Sequence, residues 1–176
     1  MTNPGRWGLF GLVVMAGPLT AQGKGPTALW LSLGLGGGYI GRHGAVALYG
    51  GYHYQRGASL FTVRSAEVAE VLGALLSGFS GGSEDTGASD IGLLYGRASH
   101  PGHGLFALSA GVGLARVTRD SSGTSNRSYH LTLPLEAQVA WRPARFIGFM
   151  VLGVESLNKG RSFGGITVGV QLGRLY

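Results

Sequence analysis

The 176-residue sequence predicts an all-β fold, an eight-stranded antiparallel up-and-down transmembrane β-barrel with a short helix in the second outer loop. Three observations predict it. The chain has 34 glycines and only 12% charged residues, which excludes both disorder and an ordinary water-exposed surface. Beyond the N-terminus, no apolar run approaches the roughly 20 residues that a membrane helix needs. Apolar residues recur instead at every second position, and without spanning helices only a closed barrel satisfies the backbone in hydrocarbon.

The first 21 residues are typical of an export signal. Arg6 supplies a positive start, Trp7–Ala16 is a short apolar run, and small residues near Ala21 suit cleavage. We therefore expect residues 1–21 to be a signal peptide that is removed, with the exact cleavage site open, and residues 22–176 to form the barrel. An N-terminal core strand or helix is the alternative interpretation.

Eight segments have the alternation expected of barrel strands. In chain order they are Leu29–Gly36, Gly44–Gln55, Gly57–Arg64, Ser89–Ser99, Phe106–Leu114, Tyr129–Arg142, Phe146–Leu157 and Ile166–Gly173. The alternation is clearest in the last strand, where Val168 and Val170 face away from Thr167 and Gly169. Phe146–Leu157 is apolar on both faces, so its register stays open. An even strand number places both chain ends on the periplasmic side.

Two of the four outer connections are expected to be long, Glu67–Ala88 and Arg119–Ser128. The first contains apolar residues at i, i+3 and i+4 spacing, which predicts an amphipathic helix that Ser65 could cap and Gly81 could stop. Its expected apolar face is Val68, Val71, Leu72, Leu75, Leu76 and Phe79. This helix is either a lid on the barrel or a binding element for a partner or lipid.

The interior of an eight-stranded barrel is just wide enough for side chains to fill it, so we expect no open pore. The positions that alternate with the apolar ones are mostly small, which suits a narrow lumen. Tyr49, Arg64 and Glu136 fall at similar heights on that inner face and form an expected interior polar network. A buried charge requires a partner, so Glu136→Ala should destabilise the barrel and adding Arg64→Met should partly restore it.

Aromatic side chains should gather where the hydrocarbon meets water. Six of them end or begin strands at one level, and they are the expected aromatic girdle: Tyr52, Tyr54, Phe61, Phe106, Trp141 and Tyr176. The general enrichment of aromatic residues in sheets is the alternative explanation.

These patterns resemble the small eight-stranded outer-membrane barrels of the OmpA/OmpX type over nearly all of the mature chain. The final stretch, ITVGVQLGRLY, looks like the signal read by the barrel insertion machinery, although Arg174 departs from that pattern. The resemblance implies an outer-membrane protein in contact with outer-membrane lipid, with a structural or surface-interaction role. We expect a monomer without a cofactor.

Other functions are weaker fits to the residues. A soluble, lipocalin-like barrel for an apolar ligand would have its apolar face inside. A lipid A-modifying enzyme could use Ser128 and His130, but no acid is evident beside them, so we expect no catalysis. His100 and His103 flank a turn without a third metal ligand. The net charge of +6 is scattered rather than clustered, which disfavours nucleic acid, and the chain has no cysteine.

Overall fold

The computed structural model describes residues 27–69, 87–100, 102–121 and 124–175. These residues form eight antiparallel strands that close into a barrel, with β8 paired to β1. The strands are β1 Thr27–Ile40, β2 His43–Arg56, β3 Ser59–Ala69, β4 Gly87–Ser99, β5 Gly104–Ser121, β6 Thr124–Trp141, β7 Ile147–Asn158 and β8 Phe163–Arg174. The predicted strand number, order and antiparallel pairing are confirmed.

The register fixes how strongly the strands are inclined. Following paired residues once around the barrel from Thr27 returns to β1 at Gly37, ten residues further along the strand. With ordinary strand spacings, this displacement inclines the strands by about 40° to the barrel axis. The inclination brings side chains from distant strands to the same height in the lumen.

The two faces of the sheet differ as the alternation predicts. Large apolar side chains point outward and are exposed, up to 78% for Leu131 and 67% for Val112. Inward side chains include many polar ones that are almost fully buried, such as Arg64 at 1% and Thr167 at 0%. Within the described ranges, no helix is long and apolar enough to cross a membrane.

The structure also settles the register of β7, which the sequence leaves open. Phe149 and Val151 point outward, whereas Met150 and Leu152 are buried in the lumen. Both faces of β7 are apolar because it contributes to the exterior on one side and to a packed interior on the other.

The predicted extent of one outer loop is wrong, and so is the predicted start of the loop helix. Most of the expected loop Arg119–Ser128 is paired strand, with Arg119 opposite Asn126 and Ser121 opposite Thr124. Apolar alternation ends where a strand leaves hydrocarbon, but backbone pairing continues beyond that point. The polar composition therefore marks the end of the apolar exterior rather than the end of the hairpin.

The predicted helix start at Ser65 is wrong, because β3 continues through this part of the chain. Ser65 and Val68 belong to β3, and Val68 is buried in the lumen instead of lying on a helix face. The alternation of β3 continues to Ala69, and the series of apolar residues starts within it. The remaining expected helix residues, Val71, Leu72, Leu75, Leu76 and Phe79, lie outside the described residues.

Candidate functional site in the barrel lumen

A group of buried polar side chains crosses the middle of the lumen. We call Tyr49, Arg64, Asp90, Glu136 and Ser156 the polar layer. The Arg64 Nη2 atom lies 2.7 Å from Asp90 Oδ2 and donates a 2.6 Å hydrogen bond to Ser156 Oγ. The same guanidinium donates to two backbone carbonyls at 3.1 Å, those of residues 135 and 155. Arg64 thereby ties β3 to β4, β6 and β7.

Glu136 lies on the opposite side of this guanidinium. Its Oε1 atom is 3.6 Å from Arg64 Nη1 and accepts a 3.0 Å hydrogen bond from the Tyr49 hydroxyl, and its Oε2 accepts a 3.4 Å one from Ser109. The structure thus brings together all three residues that the sequence places in an interior polar network.

Asp90 is the functional residue that sequence reasoning missed. It lies at an inward position of β4, it forms the shortest ion pair with Arg64, and it also accepts a hydrogen bond from Ser156. The available signal was a charged residue between the inward-facing Ala88 and Gly92. The Arg64 guanidinium therefore faces two carboxylates, those of Asp90 and Glu136, instead of the one that the sequence predicts.

Below the polar layer, a second group links aromatic and polar side chains. The His53 ring stacks on Trp30 at a centroid distance of 5.0 Å, and its Nδ1 lies 2.9 Å from Thr62 Oγ1. The Arg142 guanidinium carbon lies 4.4 Å from the centroid of the Trp30 ring, and its Nε donates a 2.9 Å hydrogen bond to Gln171. Cation–π contacts of this kind stabilise a desolvated arginine.

Above the polar layer, the outer end of the lumen is filled by apolar side chains. We call this set the apolar layer; it consists of Ile40, Ala47, Val68, Ala88, Ala115, Val117 and Phe163. Ile40 and Phe163, its two largest members, pair across β1 and β8 and are 0% and 1% exposed. The lumen therefore has a polar middle beneath an apolar outer end.

The two histidines of the β4–β5 turn lie at the end of the barrel opposite the apolar layer. His100 and His103 line a cavity of about 190 Å³ together with Gln55 and Arg142. The His100 Nε2 and Gln55 Oε1 atoms are 2.7 Å apart. Burial and, secondarily, the charge of Arg142 lower the pKa of His100. In the described part of the chain, no three histidine or acidic side chains are grouped as metal ligands.

Ser128 and His130 lie near the outer end of β6. The Ser128 Oγ and His130 Nε2 atoms are 3.1 Å apart, at an exposed position. Among the described side chains, His130 forms no ion pair with a carboxylate. Within the described side chains, the pair therefore has no third group that would orient the histidine as a general base.

The expected girdle residues that the structure describes lie on the outward face. Tyr54 packs against Phe61 with ring centroids 6.3 Å apart, and Phe61 packs against Tyr95 at 5.2 Å. Trp141 stacks on Phe149 at 6.1 Å. Tyr52 and Phe106 are also exposed, while Tyr176 lies outside the described residues. Tyr95 and Phe149 extend the expected set.

A closed eight-stranded barrel with an apolar exterior and a filled lumen has the fold of the small outer-membrane barrels. Among solved structures, Neisserial surface protein A matches with a TM-score of 0.62 and 12% identity, over 83% of this chain and 96% of that one. Ail of Yersinia pestis, in complex with the heparin analogue sucrose octasulfate, matches with a TM-score of 0.61 and 13% identity, over 85% and 99%. The N-terminal barrel domain of Pseudomonas aeruginosa OprF matches at 0.54 and 12%, over 84% and 100%. No protein-family model and no curated protein sequence matches this chain.

Proposed function

We propose that this protein is an integral outer-membrane β-barrel with a closed lumen and a structural or surface-interaction role. The observation that carries the proposal is the outward apolar face, on which side chains such as Ile91, Leu131 and Ile166 are at least 64% exposed. In water such a surface would be strongly unfavourable, whereas in hydrocarbon it is the required exterior. The export signal expected in residues 1–21 supports the same location.

The contents of the lumen support a barrel that does not conduct. Side chains of the polar layer are buried and bonded to one another, and the apolar layer fills the outer end above them. A lipocalin-like role would need an apolar cavity with the polar face outside, which is the reverse of this arrangement. The proposal includes no catalytic activity, because Ser128 and His130 lack a described acidic partner.

The outer turns support a role in surface interactions. Asn158 orders the β7–β8 turn by accepting backbone hydrogen bonds from Gly160 at 3.0 Å and Arg161 at 2.7 Å. Gly41 of the neighbouring β1–β2 turn donates a 3.1 Å hydrogen bond to the Ser162 carbonyl. These joined turns present exposed cationic side chains, including Arg42, to the medium. In this proposal, the barrel exterior contacts bilayer lipid. The C-terminal strand is read by the barrel insertion machinery, and the protein is a monomer.

Cell fractionation and electrophoresis test this proposal. We expect the protein in the detergent-extracted outer-membrane fraction, and we expect it to migrate faster unboiled than boiled because a folded barrel resists dodecyl sulfate. Purified protein in planar bilayers should add no conductance above that of a protein-free membrane. Recovery in the soluble periplasmic fraction would contradict the location, and steady conductance would contradict the closed lumen.

A further inference from the structure

Two arginines lie on the lipid-facing side of the β5–β6 hairpin. Along β5 the outward positions run from Val112 through Leu114 to Arg116, and all three side chains are exposed. Along β6 the outward positions run from Leu131 through Tyr129 to Arg127, which are also exposed. On both strands, therefore, the apolar face changes to arginine toward the outer end.

The register places these changes side by side. Leu114 pairs with Leu131, Arg116 with Tyr129, and Thr118 with Arg127. Arg116 and Arg127 are consequently diagonal neighbours on one face, a relation in which the Cα atoms are about 7–8 Å apart. Two long guanidinium side chains that start this close can reach a single anion between them.

Both arginines lack a described counter-ion. Neither forms an ion pair within the described side chains, where the two ion pairs both belong to Arg64. Among the carboxylates whose side chains the structure describes, Glu67 is the one nearest to Arg116 in register, and Ser89 lies between them. On the other side, Asp120 occupies the register position diagonal to Arg127. Two strand spacings separate Glu67 from Arg116, about 10 Å.

We infer that Arg116 and Arg127, with Tyr129 between them, bind the phosphate group of an outer-leaflet glycolipid. An aromatic side chain at the membrane boundary marks the level of the headgroups. Paired guanidinium groups suit phosphate oxygens because their N–H donors match two oxygens at once. The exposed Leu114 and Leu131 directly below provide the apolar surface along which acyl chains would lie. This inference rests on the proposed membrane location.

Native mass spectrometry of the folded protein in micelles of a nonionic detergent tests the site, with phosphorylated lipid A as the probe. The double variant Arg116→Gln/Arg127→Gln should bind the probe about tenfold more weakly, a loss of about 1.4 kcal/mol, because two charge-assisted contacts are removed. Arg97→Gln is the matched control. Arg97 is also an exposed, outward-facing strand arginine, but it lies at the opposite end of the barrel and should leave binding within about twofold.

Three further measurements separate the outcomes. Dephosphorylated lipid A should bind the wild-type protein about as weakly as the phosphorylated form binds the double variant. If millimolar inorganic phosphate competes as effectively as the lipid, this result would contradict a glycolipid site and indicate a free-phosphate site. Equal binding by the wild type and the double variant would overturn the inference. The wild type and each variant are first checked for the unboiled gel shift and for insertion into vesicles. Failure of the wild type in these checks would contradict the proposed membrane location rather than the glycolipid site.

Discussion

The polar layer and the apolar layer fill the same lumen at different heights by different means. In the polar layer, Arg64 and Asp90 are buried because each satisfies the other, with an N–O distance of 2.7 Å. In the apolar layer, Ile40 and Phe163 are buried by contact alone and are almost inaccessible. The comparison shows that a narrow barrel can close its interior either with bonded charges or with packed hydrocarbon.

The two layers should respond differently to mutation. Removing one member of a buried charge network leaves the others without partners, so the loss exceeds the value of the contact itself. Truncating an apolar side chain costs only the transfer and cavity terms of that side chain. Replacing every charged member of such a network by a neutral residue can restore the stability of the barrel. The stability lost to a cavity returns only when another side chain fills its volume.

The largest expected effect is that of Arg64→Met. Asp90 and Glu136 would remain buried without their shared cation, so we expect unfolding to become easier by about 4 kcal/mol. The measurement is the urea midpoint of the refolded barrel in detergent micelles, followed by tryptophan fluorescence and by the gel shift. A loss below about 1 kcal/mol would indicate that the lumen hydrates these carboxylates without Arg64.

The matched control for Arg64→Met neutralises the whole network. Arg64→Met/Asp90→Asn/Glu136→Gln should regain stability to within about 1 kcal/mol of the wild type, because no unpaired charge remains. The ion pair between Arg64 and Asp90 also changes the expectation drawn from the sequence. Adding Arg64→Met to Glu136→Ala should not restore stability, since the Asp90 carboxylate would be left without a cationic partner.

Phe163→Ala probes the apolar layer and should cost about 3 kcal/mol, the cost of losing a buried aromatic side chain and leaving a cavity. Conductance in planar bilayers should stay at background, because the polar layer still occludes the lumen below the new cavity. Phe149→Ala is the matched control, since this phenylalanine faces outward at 49% exposure and truncating it leaves no interior cavity. An increase in conductance for Phe163→Ala would show that the apolar layer alone closes the barrel.

The sequence predicts the barrel better than it predicts the lumen. Strand number and facing follow from the alternation, because one face must be apolar over the whole width of the membrane. The contact between Arg64 and Glu136 could be expected from their similar heights, but the nearer partner, Asp90, could not. Asp90 lies on the neighbouring strand β4 and is diagonal to Arg64, because Arg64 pairs with Gly92; this register between β3 and β4 is not determined by periodicity alone. The pairing of residues 119–121 with residues 124–126 does not follow from the sequence, because alternation reports the surroundings of the side chains rather than the pairing of the backbone.

The smallest expected effect is that of replacing a glycine by alanine, and it should differ between the inner and outer faces of the sheet. A Cβ atom added at the inward-facing Gly169 would lie 2.0 Å from the Leu33 carbonyl oxygen, whereas one added at the outward-facing Gly50 would meet no atom within 4 Å. Gly169→Ala must therefore displace the backbone of β1 and should cost about 2 kcal/mol, as overpacking does. Gly50→Ala should change the urea midpoint little. Equal effects of the two variants would mean that strand propensity, rather than the close approach of neighbouring backbones, explains the glycine content of the inner face.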